Sequence, residues 1–232
     1  MLEKTLRFIE KFIPRKVFVF FQPAYHLVLA FLSALFYWFP SRKIFVVGVT
    51  GTKGKTSVLE ITSAILEEAG YKTALTSTLR FKIGKESRRN DLKMTMSGRF
   101  SLQKFLRKAV KQKCQYVLME MTSQGAEQFR HKFIDIDAMI FTNLTPEHIE
   151  AHGSFEKYRD AKLKFFKALE KSKKKNKIAI VNKDDKNADH FLRFDINEMW
   201  VYGLKKEGED FSENIKKMEV SDFYSPRSYY CY

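Results

Sequence analysis

The residue types best able to do chemistry are concentrated in the run Gly48-Val-Thr-Gly-Thr-Lys-Gly-Lys-Thr-Ser57. Glycine tolerates positive φ, so Gly48, Gly51 and Gly54 let backbone N–H groups turn inward toward an anion. Gly51, Thr52, Lys53, Gly54, Lys55, Thr56 and Ser57 then form a cradle for nucleotide phosphates. Lys55 can reach the β- and γ-phosphates, and the Thr56 hydroxyl can sit on Mg²⁺. A helix opening at Lys55-Thr56 adds its dipole and unpaired N–H groups. The strict Walker spacing puts glycine five residues before Gly54, where Val49 stands, so the loop is a variant, Gly-x-x-Gly-x-x-Gly-Lys-Thr. A glycine-rich turn that holds no ligand would leave the order strand, loop, Gly-Lys-Thr, helix unexplained.

Two segments downstream carry acids and histidines. Tyr116-Val-Leu-Met-Glu120-Met-Thr-Ser-Gln-Gly125 puts a carboxylate at the end of an apolar run. At a strand tip Glu120 can bind Mg²⁺ directly or through water; as a lone acid it can equally cap a helix or pair with a cation. Met139-Ile-Phe-Thr-Asn143-Leu-Thr-Pro-Glu-His148-Ile-Glu-Ala-His152-Gly153 holds two histidines four apart. No third or fourth soft ligand lies at zinc spacing. A helix-entry loop facing the nucleotide fits better, with His148 as a ligand to a second Mg²⁺.

The elements that must position these residues alternate. Ile44–Val49 reads as a strand, Thr56–Ala69 as a helix ending at Gly70, and Thr73–Thr76 as a strand followed by a polar stretch around Gly84–Asp91. Phe100–Lys111 reads as helix, Tyr116–Met119 and Ile136–Phe141 as strands, Phe155–Leu169 as helix and Ile178–Val181 as a buried strand. Strand and helix in alternation predict an α/β fold with a mostly parallel sheet and helices on both faces. The domain boundaries expected are 1–42, an apolar helical segment, and 43–232, a nucleotide-binding domain.

The first segment has a different texture. Leu2, Leu6, Ile9 and Ile13 fall at helical spacing, Pro14 and Pro23 are expected to break any continuous helix, and Leu27–Phe39 is almost wholly apolar. As a helix that run is about 20 Å long, short of a hydrocarbon core of about 30 Å. Packing on the body of the protein is one reading; lying at a membrane surface, with Arg15, Lys16, Arg42 and Lys43 meeting anionic lipid, is a second, and a true span is a third.

A net charge of +15 with 44% hydrophobic residues allows a real core and a surface drawn to anions. The charge is diffuse, Lys171–Lys177 reads as a solvated helix end, and no nucleic-acid module is present, so no nucleic acid is expected as partner. Cys114 and Cys231 form neither a CxxC pair nor a disulfide framework, and no secretory cleavage pattern precedes them, which fits a reducing cytoplasm.

Gly-Thr-Lys-Gly-Lys-Thr, Met-Glu-Met-Thr-Ser-Gln-Gly, Phe-Thr-Asn-Leu-Thr-Pro-Glu-His, Tyr-Arg-Asp-Ala-Lys and Val-Asn-Lys-Asp-Asp occur in one order over about residues 43–220. This series resembles the ATP-binding central domain of the Mur ligases, closest to those that extend UDP-N-acetylmuramoyl dipeptide to the tripeptide. The resemblance implies a P-loop-containing three-layer α/β/α domain. It implies ATP and two Mg²⁺, with Lys55 and Lys162 as catalytic residues and Thr56, Glu120, His148 and a carbamylated Lys162 as metal ligands. It places Asn143 near the adenine and Asn182 and Asp185 beside the base, and it gives Thr95, Thr122, Gln128 and Arg130 to a UDP-sugar peptide. Gln124, where a histidine is usual, and Met96-Ser97, where threonine and proline are more common, depart from the family.

The activity so implied is an acid–amino-acid ligase of peptidoglycan precursor synthesis, with UDP-N-acetylmuramoyl peptide and an amino acid as substrates. The family's UDP-binding and amino-acid-binding domains are expected to be absent, leaving room for a separate C-terminal domain or partner. A non-catalytic ATP-binding module docked at the inner membrane face, a folylpolyglutamate synthase-like ligase and a small P-loop kinase are the alternatives; the kinase leaves the later motifs unexplained, and Thr122-Ser123 with Gln128 and Arg130 favours the cell-wall substrate.

Overall fold

The β-branched and apolar runs pair into one sheet in the computed structural model, which describes residues 15–92, 94–147, 149–204 and 215–219. Its strands are β1 (Phe45–Thr50), β2 (Thr73–Thr76), β3 (Arg80–Ile83), β4 (Glu86–Arg89), β5 (Tyr116–Glu120), β6 (Ala138–Phe141), β7 (Ile178–Asn182), β8 (Glu198–Gly203) and β9 (Ile215–Glu219). They lie in the order β4-β3-β2-β5-β1-β6-β7-β8-β9. The β2–β3 and β3–β4 pairs are antiparallel and all others parallel. The helices are α1 (Arg15–Phe36), α2 (Lys55–Glu68), α3 (Arg99–Lys111), α4 (Ser123–Glu127), α5 (Ile149–His152), α6 (Phe155–Glu170) and α7 (Ala188–Leu192), with a 3₁₀ turn at Pro40–Lys43.

Successive strand side chains point to opposite faces, and the core divides accordingly. Val47, Val49, Leu118 and Ala138 pack with Leu59 of α2 on one face. Val46, Val117, Met119, Met139 and Phe141 pack with Leu102 and Leu106 of α3 and with Phe165 and Phe166 of α6 on the other. Helices therefore cover both faces, and the expected three layers are present.

No element was expected at α4, α5, α7, β8 or β9, and three further features differ from expectation. The polar stretch after β2 is a hairpin: Gly84, at φ 56, turns the chain between β3 and β4. Only Phe81 and Ile83 point inward there, and β4 is exposed throughout, so the stretch carries almost no apolar signal. The helix α1 runs through Pro23 rather than stopping at it. Proline forfeits one backbone bond to the preceding turn, and packing of the small residues Ala30, Ser33 and Ala34, all at most 1% exposed, holds the helix nonetheless. The Lys171–Lys177 run is not all solvated: Lys174 donates to the Ile44 carbonyl at 2.8 Å and pairs with Asp137 at 3.0 Å, tying the end of α6 to the start of β1. Leu2, Leu6, Ile9, Ile13, Pro14 and Cys231 lie outside the described residues.

Candidate functional site

The parallel register brings three strand ends level. Val49 of β1 stands beside Glu120 of β5, and Thr50 beside Phe141 of β6. The chain passes from β5 on one side of β1 to β6 on the other, so strand order reverses here. Open α/β sheets place ligands in the crevice such a reversal leaves. Val49 is a wholly buried strand residue, which is why glycine is not needed at that position: the glycine-rich loop begins only at Gly51.

The loop is clamped from β6. Gly51, at φ 150, lies so close to Thr142 and Asn143 that a Cβ would fall 2.0 Å from the Thr142 hydroxyl. The Thr52 N–H donates to the Asn143 carbonyl at 2.8 Å. The Asn143 side chain accepts from the Lys53 N–H at 2.9 Å and donates to the Lys53 carbonyl at 3.1 Å. Gly54, at φ 79, caps α2 with open space around it. That open cap leaves the first turn of α2 accessible, the arrangement an anion requires.

Three charged side chains converge on this loop. The Thr56 hydroxyl donates to Glu120 Oε2 at 2.9 Å, and the same oxygen accepts from the Thr78 N–H at 2.8 Å and hydroxyl at 3.0 Å. Lys55 folds back to the Thr52 carbonyl at 2.8 Å; burial pushes its ammonium down, with Glu120 and Glu147 acting against that. Lys162, on α6, is 2% exposed and donates to the Gly51 carbonyl at 2.7 Å, with its Nζ 4.5 Å from the centre of the Tyr158 ring. Burial, and then the charge of Lys55, push Lys162 down to about 7. A large share of its amine is therefore neutral at physiological pH.

A cleft of about 300 Å³ opens over these groups, lined by Lys55, Glu120 and Lys162 and by Thr95, Thr122 and Arg130. Thr95 shares a 2.8 Å hydrogen bond with Thr78, one step from Glu120. Thr122 caps α4 by accepting from the Gly125 N–H at 3.2 Å. Gln128 holds Arg130 through its side-chain oxygen at 3.0 and 2.6 Å, orienting the guanidinium while itself standing off the cleft wall. Asn182 and Asp185 sit one strand further on: Asn182 donates to the Thr142 carbonyl at 2.7 Å, and Asp185 accepts from the Leu144 N–H at 2.5 Å. Ser57 is exposed at the start of α2. His148 lies outside the described residues.

His152 had only its spacing to recommend it, as half of a zinc pair. It is buried and bridges Ser123 and Glu127, 3.0 Å from each, on the cleft wall. Among the described residues no group of three or more His, Cys, Asp and Glu could hold a metal ion. Nothing in the sequence pointed to this Ser123–His152–Glu127 chain, because α4 and α5 meet only through the fold.

Thr56 and Glu120 supply two neighbouring oxygens of the hard type that Mg²⁺ takes, beside a loop shaped for phosphate, so the residues present fit the ion.

The Mur ligase middle domain family matches residues 49–227. Among curated proteins, the UDP-N-acetylmuramoyl-L-alanyl-D-glutamate–2,6-diaminopimelate ligase of Syntrophomonas wolfei is 36% identical over 188 residues, 81% of this chain and 38% of that protein. UDP-N-acetylmuramyl-tripeptide synthetase 2 of Oceanobacillus iheyensis is 36% identical over 190 residues, again 81% of this chain and 38% of its own length. A solved UDP-N-acetylmuramoyl-L-alanyl-D-glutamate–2,6-diaminopimelate ligase superposes with a TM-score of 0.60 at 26% identity, covering 72% of this chain and 33% of that one. The chain thus spans well under half the length of the proteins it matches.

Proposed function

The chain belongs to the Mur ligase family through its middle domain, and from that premise we propose that it is an ATP-dependent acid–amino-acid ligase of peptidoglycan precursor synthesis, or the ATP-binding part of one. The substrates are UDP-N-acetylmuramoyl dipeptide and an amino acid. The observation that carries this reading is the convergence of Lys55, Thr56, Glu120 and Lys162 on one phosphate-shaped loop.

In such a reaction the substrate carboxylate attacks the γ-phosphorus of ATP, giving an acyl phosphate and ADP. The amine of the amino acid then displaces phosphate to form the amide. The attacking carboxylate and the γ-phosphate are both anionic, so the site must neutralise charge and align the two groups. Lys55 supplies a partly desolvated cation, whose field is stronger than it would be in water. The clamp from Asn143 and Thr142 keeps the loop N–H groups aimed without reorganisation. Mg²⁺, when bound by Thr56 and Glu120, supplies further positive charge at the phosphates. Thr95, Thr122 and Arg130 line the approach from which the sugar peptide's carboxylate would enter, with Gln128 holding Arg130 in place.

Lys162 is read as the site of carbamylation. Its neutral amine attacks CO₂ and sheds one proton, so that a buried amine becomes a carbamate anion beside Lys55. An anion there suits a second Mg²⁺, with His148 as a further ligand; an ammonium would repel it. Asn143, Asn182 and Asp185 stand toward the base, with Asn143 also tying the loop. A cytoplasmic chain attached peripherally to the inner membrane face through its N-terminal segment accords with this reading.

ADP release by the chain with Mg-ATP, UDP-N-acetylmuramoyl dipeptide and a pool of amino acids, beside Lys55→Ala, tests the proposal. Release that needs both co-substrates and Lys55 is expected of a ligase. Lys55-dependent ATP binding without release assigns the chain the nucleotide half alone, and ATP binding indifferent to Lys55 overturns the reading.

A further inference from the structure

A cavity of about 880 Å³ lies away from the glycine-rich loop. It lies between α3 and the β3–β4 hairpin, with Phe81, Ile83 and Phe105 as apolar walls and Tyr37, just beyond α1, at its edge. Its lining carries Arg88, Lys104, Arg107, Lys108 and Lys111. Glu86 is the one acid among the described lining residues, and Lys108 pairs with it at 2.7 Å. Nothing in the ligase chemistry uses these cations.

Beside this cavity α1 presents a stripe that is exposed among the described residues. Its inner face, Ala30, Ser33 and Ala34, is buried, and the helix packs against α3. Phe21, Ala24, Val28, Leu32 and Leu35 recur on the opposite side at helical spacing, and the large ones among them are 44% to 59% exposed. Phe36 and Trp38, exposed by 70% and 75%, continue that surface to Tyr37 and the cavity mouth. An apolar patch of this extent, rimmed by charge, marks an interaction site. Along the sequence the flanks are of one sign: no acidic residue occurs between Glu10 and Glu60, while Arg15, Lys16, Arg42 and Lys43 bracket the apolar run, with Arg42 paired to Asp135 at 3.2 Å from elsewhere in the fold. Among the described residues no helix is long and apolar enough to cross a membrane.

We infer that α1, the Tyr37–Lys43 segment and α3 form one face that docks on an anionic phospholipid bilayer, with α1 lying in the interface and the α3 cavity seating a lipid phosphate. An apolar helix flanked by cations suits the boundary between acyl chains and head groups. The basic cavity, with apolar walls below its cations, matches an anion attached to hydrocarbon better than a freely hydrated one. A protein partner of ordinary mixed charge would leave these cations unanswered. The inference rests on the peripheral attachment proposed above and not on the ligase chemistry, since no residue lining the α3 cavity belongs to the Gly51–Ser57 loop.

Flotation with mixed phosphatidylglycerol and phosphatidylcholine vesicles, against phosphatidylcholine alone, tests it. The chain is expected to prefer the anionic vesicles by about tenfold or more at low salt and to lose that preference as salt rises. Lys104→Glu combined with Lys111→Glu is expected to lower anionic binding by about tenfold, with circular dichroism and ATP binding unchanged. In Trp200→Phe the remaining tryptophan is Trp38, whose emission is expected to shift to the blue on those vesicles. Failure to float on either vesicle, flotation of the double variant equal to the unsubstituted chain, or burial of Trp38 by self-association or by another part of the polypeptide in place of lipid would each overturn the inference. ATP binding measured on the same samples shows whether the nucleotide site stands or falls separately.

Discussion

Lysines do different work in two regions of this molecule, although the side chain is the same. At the phosphate loop Lys162 is enclosed by Tyr158 and the Gly51 carbonyl and is pushed down to about 7. On α3, Lys104, Lys108 and Lys111 stand exposed on a cavity rim. Enclosure depresses one lysine's hold on its proton; the others stand in solvent, where they can act only on something brought to them. Among 42 basic residues, composition cannot tell these apart, and burial can.

The sharpest way to break the contrast is at the loop itself. Lys55→Ala removes the cation proposed to meet the phosphates and is expected to lower ADP release by about three orders of magnitude, within the range of such electrostatic contributions. Steady-state turnover checks it, and a loss smaller than tenfold would place the charge neutralisation elsewhere. Glu120→Gln keeps the volume but weakens the acceptor shared by Thr56 and Thr78. It is expected to raise the Mg²⁺ concentration needed for half-maximal ATP binding by about tenfold or more, readable by titration.

The state of Lys162 can be sharpened by pH. Its folded value is depressed below the unfolded one of 10.5. Between about 7 and 10.5 the unfolded chain therefore holds a proton that the folded chain lacks, so this group raises stability as pH climbs through that window. The penalty for burying the charge is felt in full below about 7. Lys162→Met is expected to flatten this slope and to stabilise the fold at pH 6 by about 1–4 kcal/mol, judged by urea denaturation across pH. Activity should follow a separate order: Lys162→Glu above Lys162→Ala, with bicarbonate raising only the unsubstituted chain.

The smallest effects belong to α1. Val28→Ser and Leu32→Ser, on its outer stripe, are expected to change stability by less than about 0.5 kcal/mol each. Ala34→Leu, on the inner face against α3, should cost about 1–3 kcal/mol. Equal costs on the two faces would mean that the outer stripe is covered within the chain itself.

The parallel centre of the sheet was legible because each of its strands is a short apolar run and the helices between them keep their own period. The antiparallel β3–β4 hairpin was not, since only Phe81 and Ile83 alternate and β4 has no buried side to announce it. Pro23 reads as a stop on local propensity alone, and the packing of Ala30, Ser33 and Ala34 carries the helix through it. The grip of Asn143 on Lys53 from both ends of its amide was visible only in the fold.

By itself, then, the order of residues determined what could be decided locally: a glycine-rich loop feeding a Lys-Thr helix start, strands and helices in alternation, and an apolar run too short to cross a bilayer. These follow from φ preferences, hydrophobic period and helix rise, each set within a few residues of chain. Tertiary structure alone decided that Glu120, from β5, meets Thr56, and that Lys162 comes under the loop from α6. It alone joined His152 to Ser123 and Glu127, and laid the lysines of α3 beside an uncovered apolar helix. Those outcomes depend on desolvation and on distances between parts of the chain remote in sequence, and neither quantity exists until the sheet has closed around them.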